Sequence, residues 1–219
     1  MEKQRKLIIV GDSAFAEVAY EYFTHDSIYE VVAFSVETPF LTRKTLFGLP
    51  VVPFETLEQT YDPADYWFFA ALVYGDTNRL RARLYTTAKA RGYRAASYVS
   101  PRAVVWHNVR LGEHCFIFEN TVLQAFTTVG DDVVLWTGSF VGHHSRIGSH
   151  TFLAAHVAVS GFVSVGEYVF LGVNSAIVDR VVIGDRCVVG ASALVLGNVP
   201  DDRTVVGIWK RVRPGADEA

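Results

Sequence analysis

The stretch Val141 to Gly148, VGHHSRIG, sets two adjacent histidines between Val-Gly and Ile-Gly. Imidazole titrates near neutral pH and is the side chain best suited to take a proton from an attacking amine or hydroxyl. On residue type alone, His143 and His144 can be a general base with its partner, metal ligands, or polar surface residues. Six of the seven histidines fall between 107 and 156, so a metal site is the first rival to test. A second place where chemistry could sit is GDSAFA, which follows the apolar run KLIIV. Gly11 begins a turn into a helix there, and backbone N–H groups at a helix start can hold an anion. The turn lacks the Gly-x-Gly-x-x-Gly spacing, so a strand-to-helix turn that simply needs a glycine explains it about as well.

What each histidine can reach depends on the elements that carry it. From Val105, every sixth residue through Val195 is Val, Leu or Ile, and two positions earlier stand small or β-branched residues such as Cys115, Thr121, Thr127, Val133, Ser139, Ser145 and Thr151. Six-residue repetition of this kind specifies a parallel β-helix in which three hexapeptides form one triangular coil. Residues 18 apart then stack in neighbouring rungs about 4.8 Å apart. In this register His144, His150 and His156 stand on three different sides of a coil and cannot converge on one ion within a chain. His143 has Ala125 and Gly161 as rung neighbours, which leaves it accessible, whereas His144 lies between Phe126 and Phe162. Cys115 and Cys187 are four coils apart, about 19 Å by the same spacing and beyond disulfide reach, so both are expected reduced and buried. Residues 1–98 have another rhythm. KLIIV, YEVVAF, WFFAAL and YRAAS alternate with AFAEVAYEYF and TNRLRARLYTTAKARG, the pattern of a small α/β unit with a parallel sheet.

Composition narrows the function classes. The 219 residues carry a net charge of −3 and contain no Lys/Arg-rich run with interleaved aromatics, which argues against nucleic acid as a partner. The amino terminus has too few apolar residues before Gly11 for a signal-peptide core, and no apolar run could span a bilayer, so a cytoplasmic protein without membrane insertion is expected.

Residues 99–199, with the repeat and VGHHSRIG, resemble the left-handed β-helix hexapeptide acyltransferases. With the α/β unit in front, the whole chain resembles the bacterial sugar acetyltransferases that include nucleotide-linked amino-sugar N-acetyltransferases and sialic acid O-acetyltransferases. The resemblance implies a Rossmann-like acceptor domain (1–98), a left-handed β-helix acyltransferase domain (99–199) and a C-terminal tail (200–219). It places the catalytic base at His143, with His144 where relatives carry an acid, and it implies a Gly161 N–H facing the oxyanion. It implies acetyl-CoA in a groove between β-helices of a homotrimer, near Gly161, Val173 and Ala191, with Lys210 and Arg211 toward the phosphates. Phe152 stands where relatives have a second histidine near acetyl-CoA, and His156 is the candidate replacement. Gly11, Asp12, Ser13, Ala14 and Phe15 fill the turn that approaches the nucleotide in relatives, with Phe15 in place of their histidine and Ser35-Val36 where several carry acids.

The expected activity is therefore metal-independent N-acetylation, from acetyl-CoA, of a nucleotide-linked amino sugar for surface polysaccharide such as lipopolysaccharide. O-acetylation of a sugar hydroxyl is the alternative in the same class. From other classes, a non-catalytic nucleotide-sugar-binding scaffold and a zinc enzyme remain. His107 and His143 share a row two coils apart, which resembles the γ-class carbonic anhydrases, but their third histidine would fall on Gly148.

Overall fold

The structure, a computed structural model, describes residues 2–210. The chain divides into two units, one ending at Tyr98 and the other beginning at Val99.

The run RKLIIV becomes β1 (Arg5–Val10), whose Leu7 to Val10 are at most 1% exposed, as a central parallel strand covered on both faces requires. After it come α1 (Ala14–Asp26), β2 (Tyr29–Val36), β3 (Thr45–Leu46), β4 (Leu49–Pro53), β5 (Tyr66–Ala70), α2 (Arg79–Ala90) and β6 (Arg94–Ala95). The sheet order is β3-β4-β2-β1-β5-β6, parallel except for the β3–β4 pair. The chain builds outward on one side of β1 and then crosses to the other with β5. That reversal leaves a crevice beyond the carboxyl ends of the strands, the usual ligand position in open α/β sheets. The hairpin of β3 and β4 was not read from the sequence. Its LPVVP segment carries two prolines, which read against a strand and are tolerated because β4 lies next to the sheet edge.

In the second unit each hexapeptide contributes a two-residue strand, and the strands stack into three sheets of seven, seven and five. The pairing steps by 18, as in Phe116↔Val134, Val134↔Phe152 and Phe152↔Phe170. The aliphatic row points inward and is buried from Ile117 to Val195, joined by the row two residues earlier. Leu111, on the terminal strand of its sheet, is 36% exposed because nothing stacks beneath it. Cys115 and Cys187 are buried free thiols, and burial pushes the Cys187 thiol up from its ordinary value.

The corners explain the histidines. From His114 to Ser192, every sixth residue has φ between 55° and 73°. Side chains adopt this left-handed region at a cost, and among non-glycine residues Asn, Asp and His adopt it most often. His114, His144, His150 and His156 all occupy it, so backbone conformation alone accounts for most of the histidine crowding.

The β-helix also continues past residue 199, where the tail was expected to begin. Thr204–Val205 pairs with Val188–Val189, and Ile208–Trp209 pairs with Leu194–Val195. These rungs step by 16 and 14 residues instead of 18, which is why a search at period six stops at Val195.

Candidate active site

His143 and His144 sit at the corner after the strand Phe140–Val141, in the middle one of the three sheets each coil visits in turn. The corner is pinned from both neighbouring rungs. The His144 N–H donates to the Ala125 carbonyl at 3.1 Å, the Phe162 N–H donates to the His143 carbonyl at 3.0 Å, and the His143 N–H donates to Gln124 Oε1 at 3.0 Å. Both side chains remain exposed. The two imidazoles meet at Nδ1, 3.1 Å apart and nearly perpendicular. One Nδ1 must donate and the other accept, so the pair does not carry a proton on both facing nitrogens.

The rungs set the two rings differently. His144 is stacked between Phe126, 4.6 Å away between centroids, and Phe162, 4.9 Å away. Arg180 covers Phe162 with its guanidinium 4.8 Å from the ring centre. His143 lies over Gly161. A Cβ built on Gly161 would come within 2.9 Å of His143 Cε1 and 3.0 Å of Nε2, so this ring position requires glycine. Beside His143 opens an apolar recess of ≈ 420 Å³ lined by Val104, Trp106, Val122, Leu123, Gln124 and Ala125. Such an arrangement can present the Nε2 lone pair of His143 to an attacking group while Nδ1–H is held by its neighbour.

One feature expected here is absent. The Gly161 N–H, assigned to an oxyanion, donates instead to Asp179 Oδ1 at 2.9 Å. Asp179 is the next residue of the same column, one rung on, and its carboxylate outcompetes any weaker acceptor for that N–H.

Three further residues in the acetyl-CoA assignment, His156, Val173 and Ala191, are exposed, but at the corner preceding the middle sheet, whereas His143 and Gly161 follow it. The His156 ring covers Gly138, whose added Cβ would meet it at 2.4 Å. One chain therefore places the two groups on opposite edges of the middle sheet and does not bring them together. Phe152 departs from its assignment. It is 4% exposed and sits between the Trp136 and Phe170 rings, packing where its histidine counterpart was expected to meet a ligand. Lys210 is exposed, and Arg211 lies outside the described residues.

The zinc arrangement meets a steric bar at Gly148. A Cβ there would lie 2.4 Å from the Gly166 carbonyl oxygen of the next coil, so no histidine fits the third position without displacing backbone. Among the described residues no group of three or more His, Cys, Asp or Glu is placed to hold a metal ion. Sequence reading did miss a buried cluster. Asp132 accepts a hydrogen bond from His114 Nδ1–H at 2.8 Å through Oδ1 and another from the half-buried His150 Nδ1–H at 2.9 Å through Oδ2. Its signal was available, since 114, 132 and 150 are spaced by 18 in one corner column, away from His143.

In the first unit, Gly11, Asp12 and Ser13 line a cavity of ≈ 190 Å³ at the ends of β1 and β2, together with Ser35, Val36, Glu37 and Leu72. Gly11 has φ 120°, and a Cβ there would lie 2.9 Å from the Ala71 carbonyl oxygen. Ala14 is exposed and outside the lining, and Phe15 is turned into the core, 2% exposed and edge-on to Phe69. A large apolar ring in place of histidine is drawn inward, so Phe15 does not serve the expected contact.

Comparison with known proteins supports the architecture. A family model described as bacterial transferase hexapeptide (six repeats) matches residues 162–197. A mutant of perosamine N-acetyltransferase from Caulobacter crescentus, in complex with CoA and GDP-perosamine, superposes with a TM-score of 0.82 at 29% identity, covering 92% of this chain and 93% of that one. The acetyltransferase domain of PglB from Neisseria gonorrhoeae superposes with a TM-score of 0.83 at 23% identity, covering 93% and 97%. WeeI from Acinetobacter baumannii AYE gives 0.73 at 22% identity, covering 93% and 97%. The last two likenesses speak to fold alone. No curated protein matches the sequence. The repeat, the two-unit architecture and a likeness over nine-tenths of the chain support an acyltransferase with the fold of the hexapeptide-repeat, β-helix sugar acetyltransferases to which it is similar.

Proposed function

We propose that the protein transfers an acetyl group from acetyl-CoA to the amine of a nucleotide-linked amino sugar, with His143 as general base, in surface-polysaccharide assembly in the cytoplasm. The observation that carries this reading is the exposed imidazole pair, joined Nδ1 to Nδ1 at 3.1 Å with His143 seated over Gly161. With Nδ1–H donated to His144, His143 keeps Nε2 unprotonated toward solvent. The amine attacks the thioester carbonyl, and His143 Nε2 takes the amine proton as the C–N bond forms. As the C–S bond breaks, the same proton goes to the departing thiolate, which returns His143 to its starting state. The perosamine enzyme, at 29% identity and bound to CoA and a GDP-linked amino sugar, supports this substrate class.

We assign the nucleotide end of the acceptor to the Gly11–Asp12–Ser13 cavity and the chemistry to the β-helix. The working form is a homotrimer. The middle sheet presents Val104, Val122, Phe140, Ala158, Ala176, Leu194 and Ile208 outward, whereas its five-stranded neighbour presents Arg110, Thr128, Arg146, Ser164 and a single aliphatic residue, Val182. Packing such an apolar face against a second copy also brings the edge with His156, Val173 and Ala191 from one chain toward the His143 edge of another, and a threefold ring satisfies every copy. Acetyl-CoA then lies between chains.

The test follows thiol release from acetyl-CoA against nucleotide-linked amino sugars, their hydroxyl counterparts and free sugars. Release that depends on an amino sugar carrying a nucleotide is expected. Release with hydroxyl acceptors alone would move the assignment to O-acetylation, and no release with any acceptor would remove the acetyltransfer reading for these substrates.

A further inference from the structure

The cavity in the first unit holds polar groups that the turn at Gly11 does not account for. Its walls are apolar, formed by Val10, Val36, Phe40, Leu72, Leu80 and Leu84. Ser35 also lines it, is fully buried, and its Oγ has no hydrogen-bond partner. A buried hydroxyl without a partner is costly to a fold, and such groups commonly await a ligand or a water. The Ser35 backbone is already used, its carbonyl accepting the Gly11 N–H at 2.7 Å, so only the hydroxyl is available to something entering the cavity.

At the rim stands Glu37, the residue following β2. Arg83 grips its carboxylate with two hydrogen bonds of 2.8 Å, one to each oxygen. Each oxygen keeps a second lone pair, so the carboxylate can accept two more hydrogen bonds from a pair of adjacent hydroxyls. The second acid of the cavity, Asp12, is likewise paired, with Arg43 Nε 3.3 Å from Oδ2. Both acids thus have a neutralising arginine, and an anionic pyrophosphate beside Gly11 is not repelled. An acid at the end of the second strand of an α/β nucleotide fold, one crossover beyond the glycine turn, stands where ribose hydroxyls are read.

Resting on the assignment of the nucleotide to this cavity, we infer that the site reads the ribose. Glu37, oriented by Arg83, accepts the vicinal 2′- and 3′-hydroxyls, and Ser35 Oγ bonds a polar atom of the nucleoside deeper in. The acceptor is therefore a sugar linked to a ribonucleoside diphosphate, and deoxyribonucleoside diphosphate sugars are excluded.

Calorimetric titration of the full chain with UDP and GDP, and with dUDP and dGDP, tests this without any catalytic step. The ribonucleotide of the preferred base should bind at least about tenfold more tightly than its 2′-deoxy form, as a site built around a hydroxyl discriminates against its loss. Glu37→Gln should shrink that ratio toward one, and Ser35→Ala should weaken both forms alike while keeping the ratio. Equal affinity of ribo and deoxy forms in the unaltered protein overturns the inference and leaves the nucleotide assignment standing. Absence of binding by all four overturns the assignment itself and this inference with it.

Discussion

Glycine to alanine is the smallest substitution that separates chemistry from architecture in this molecule, because two glycines of the repeat face different neighbours. At Gly161 the new methyl group would lie 2.9 Å from His143 Cε1, and 3.4 Å is the lower edge of ordinary contact. The ring must therefore retreat by about 0.5 Å, and it is free to do so because His143 is exposed. Retreat stretches the 3.1 Å bond to His144 and moves Nε2 away from its place. Misplacing a catalytic group by about 1 Å can cost about a hundredfold in rate, so Gly161→Ala should lower kcat by about ten- to a hundredfold. Stability should hold or rise slightly, since φ at Gly161 is not in the left-handed region and alanine restricts the unfolded chain. At Gly148 the same methyl would meet the Gly166 carbonyl oxygen at 2.4 Å and its carbon at 2.5 Å, which are backbone atoms of the next coil. Gly148→Ala should thus cost about 1–3 kcal/mol, a drop of about 2–4 °C in Tm for each kcal/mol. The assay pairs thermal unfolding with steady-state thiol release for both variants. Unchanged kcat in Gly161→Ala would refute the claim that the observed seat of His143 matters to the reaction.

His143→Ala should reduce kcat by about two to four orders of magnitude with acetyl-CoA affinity retained, read by steady-state kinetics and direct titration. His144→Asn should cost less than His143→Ala. His144→Glu should stay active, because its carboxylate can accept the same Nδ1–H hydrogen bond from His143. Ending the chain at residue 199 should lower Tm and promote aggregation in light scattering, since it removes the strands that cap two sheets and strips cover from Val189 and Val195. Light scattering of the intact protein should report a trimer, and a fully active monomer would remove the shared groove.

The β-helix was legible because its period is rigid. One aliphatic residue every six fixes which rows point inward, and steps of 18 fix which corners stack, so the Phe126–His144–Phe162 sandwich and the open seat of His143 followed from residue numbers alone. Contacts outside that lattice were not legible. Asp179 captures the Gly161 N–H through a side-chain rotamer that spacing does not specify. Phe152 was placed by analogy with histidines, whereas a phenyl ring between Trp136 and Phe170 packs as an apolar side chain does. The final coils escaped detection because their shortened turns break the period. In the first unit strand and helix patterns were clear, but Glu37 lies after a strand where no repeat marks it, and the empty bonding capacity of Ser35 exists only in three dimensions.

The histidine pair shows how a coil geometry limits the ways a base can be supported. Position 144 is a left-handed corner with φ 60°, and its neighbours at 126 and 162 are phenylalanines, so whatever stands there must tolerate that backbone and lie flat between two rings. A carboxylate at this corner would support the imidazolium of His143 by charge, but it would meet the negative faces of both rings. Imidazole fits the slot as a planar ring, offers Nδ1 as a neutral acceptor, and meets favourable π faces when positive. The support for His143 therefore comes through one hydrogen bond and ring orientation in place of a fixed negative charge. That makes the tautomer of His144, rather than its charge, the property on which the base depends.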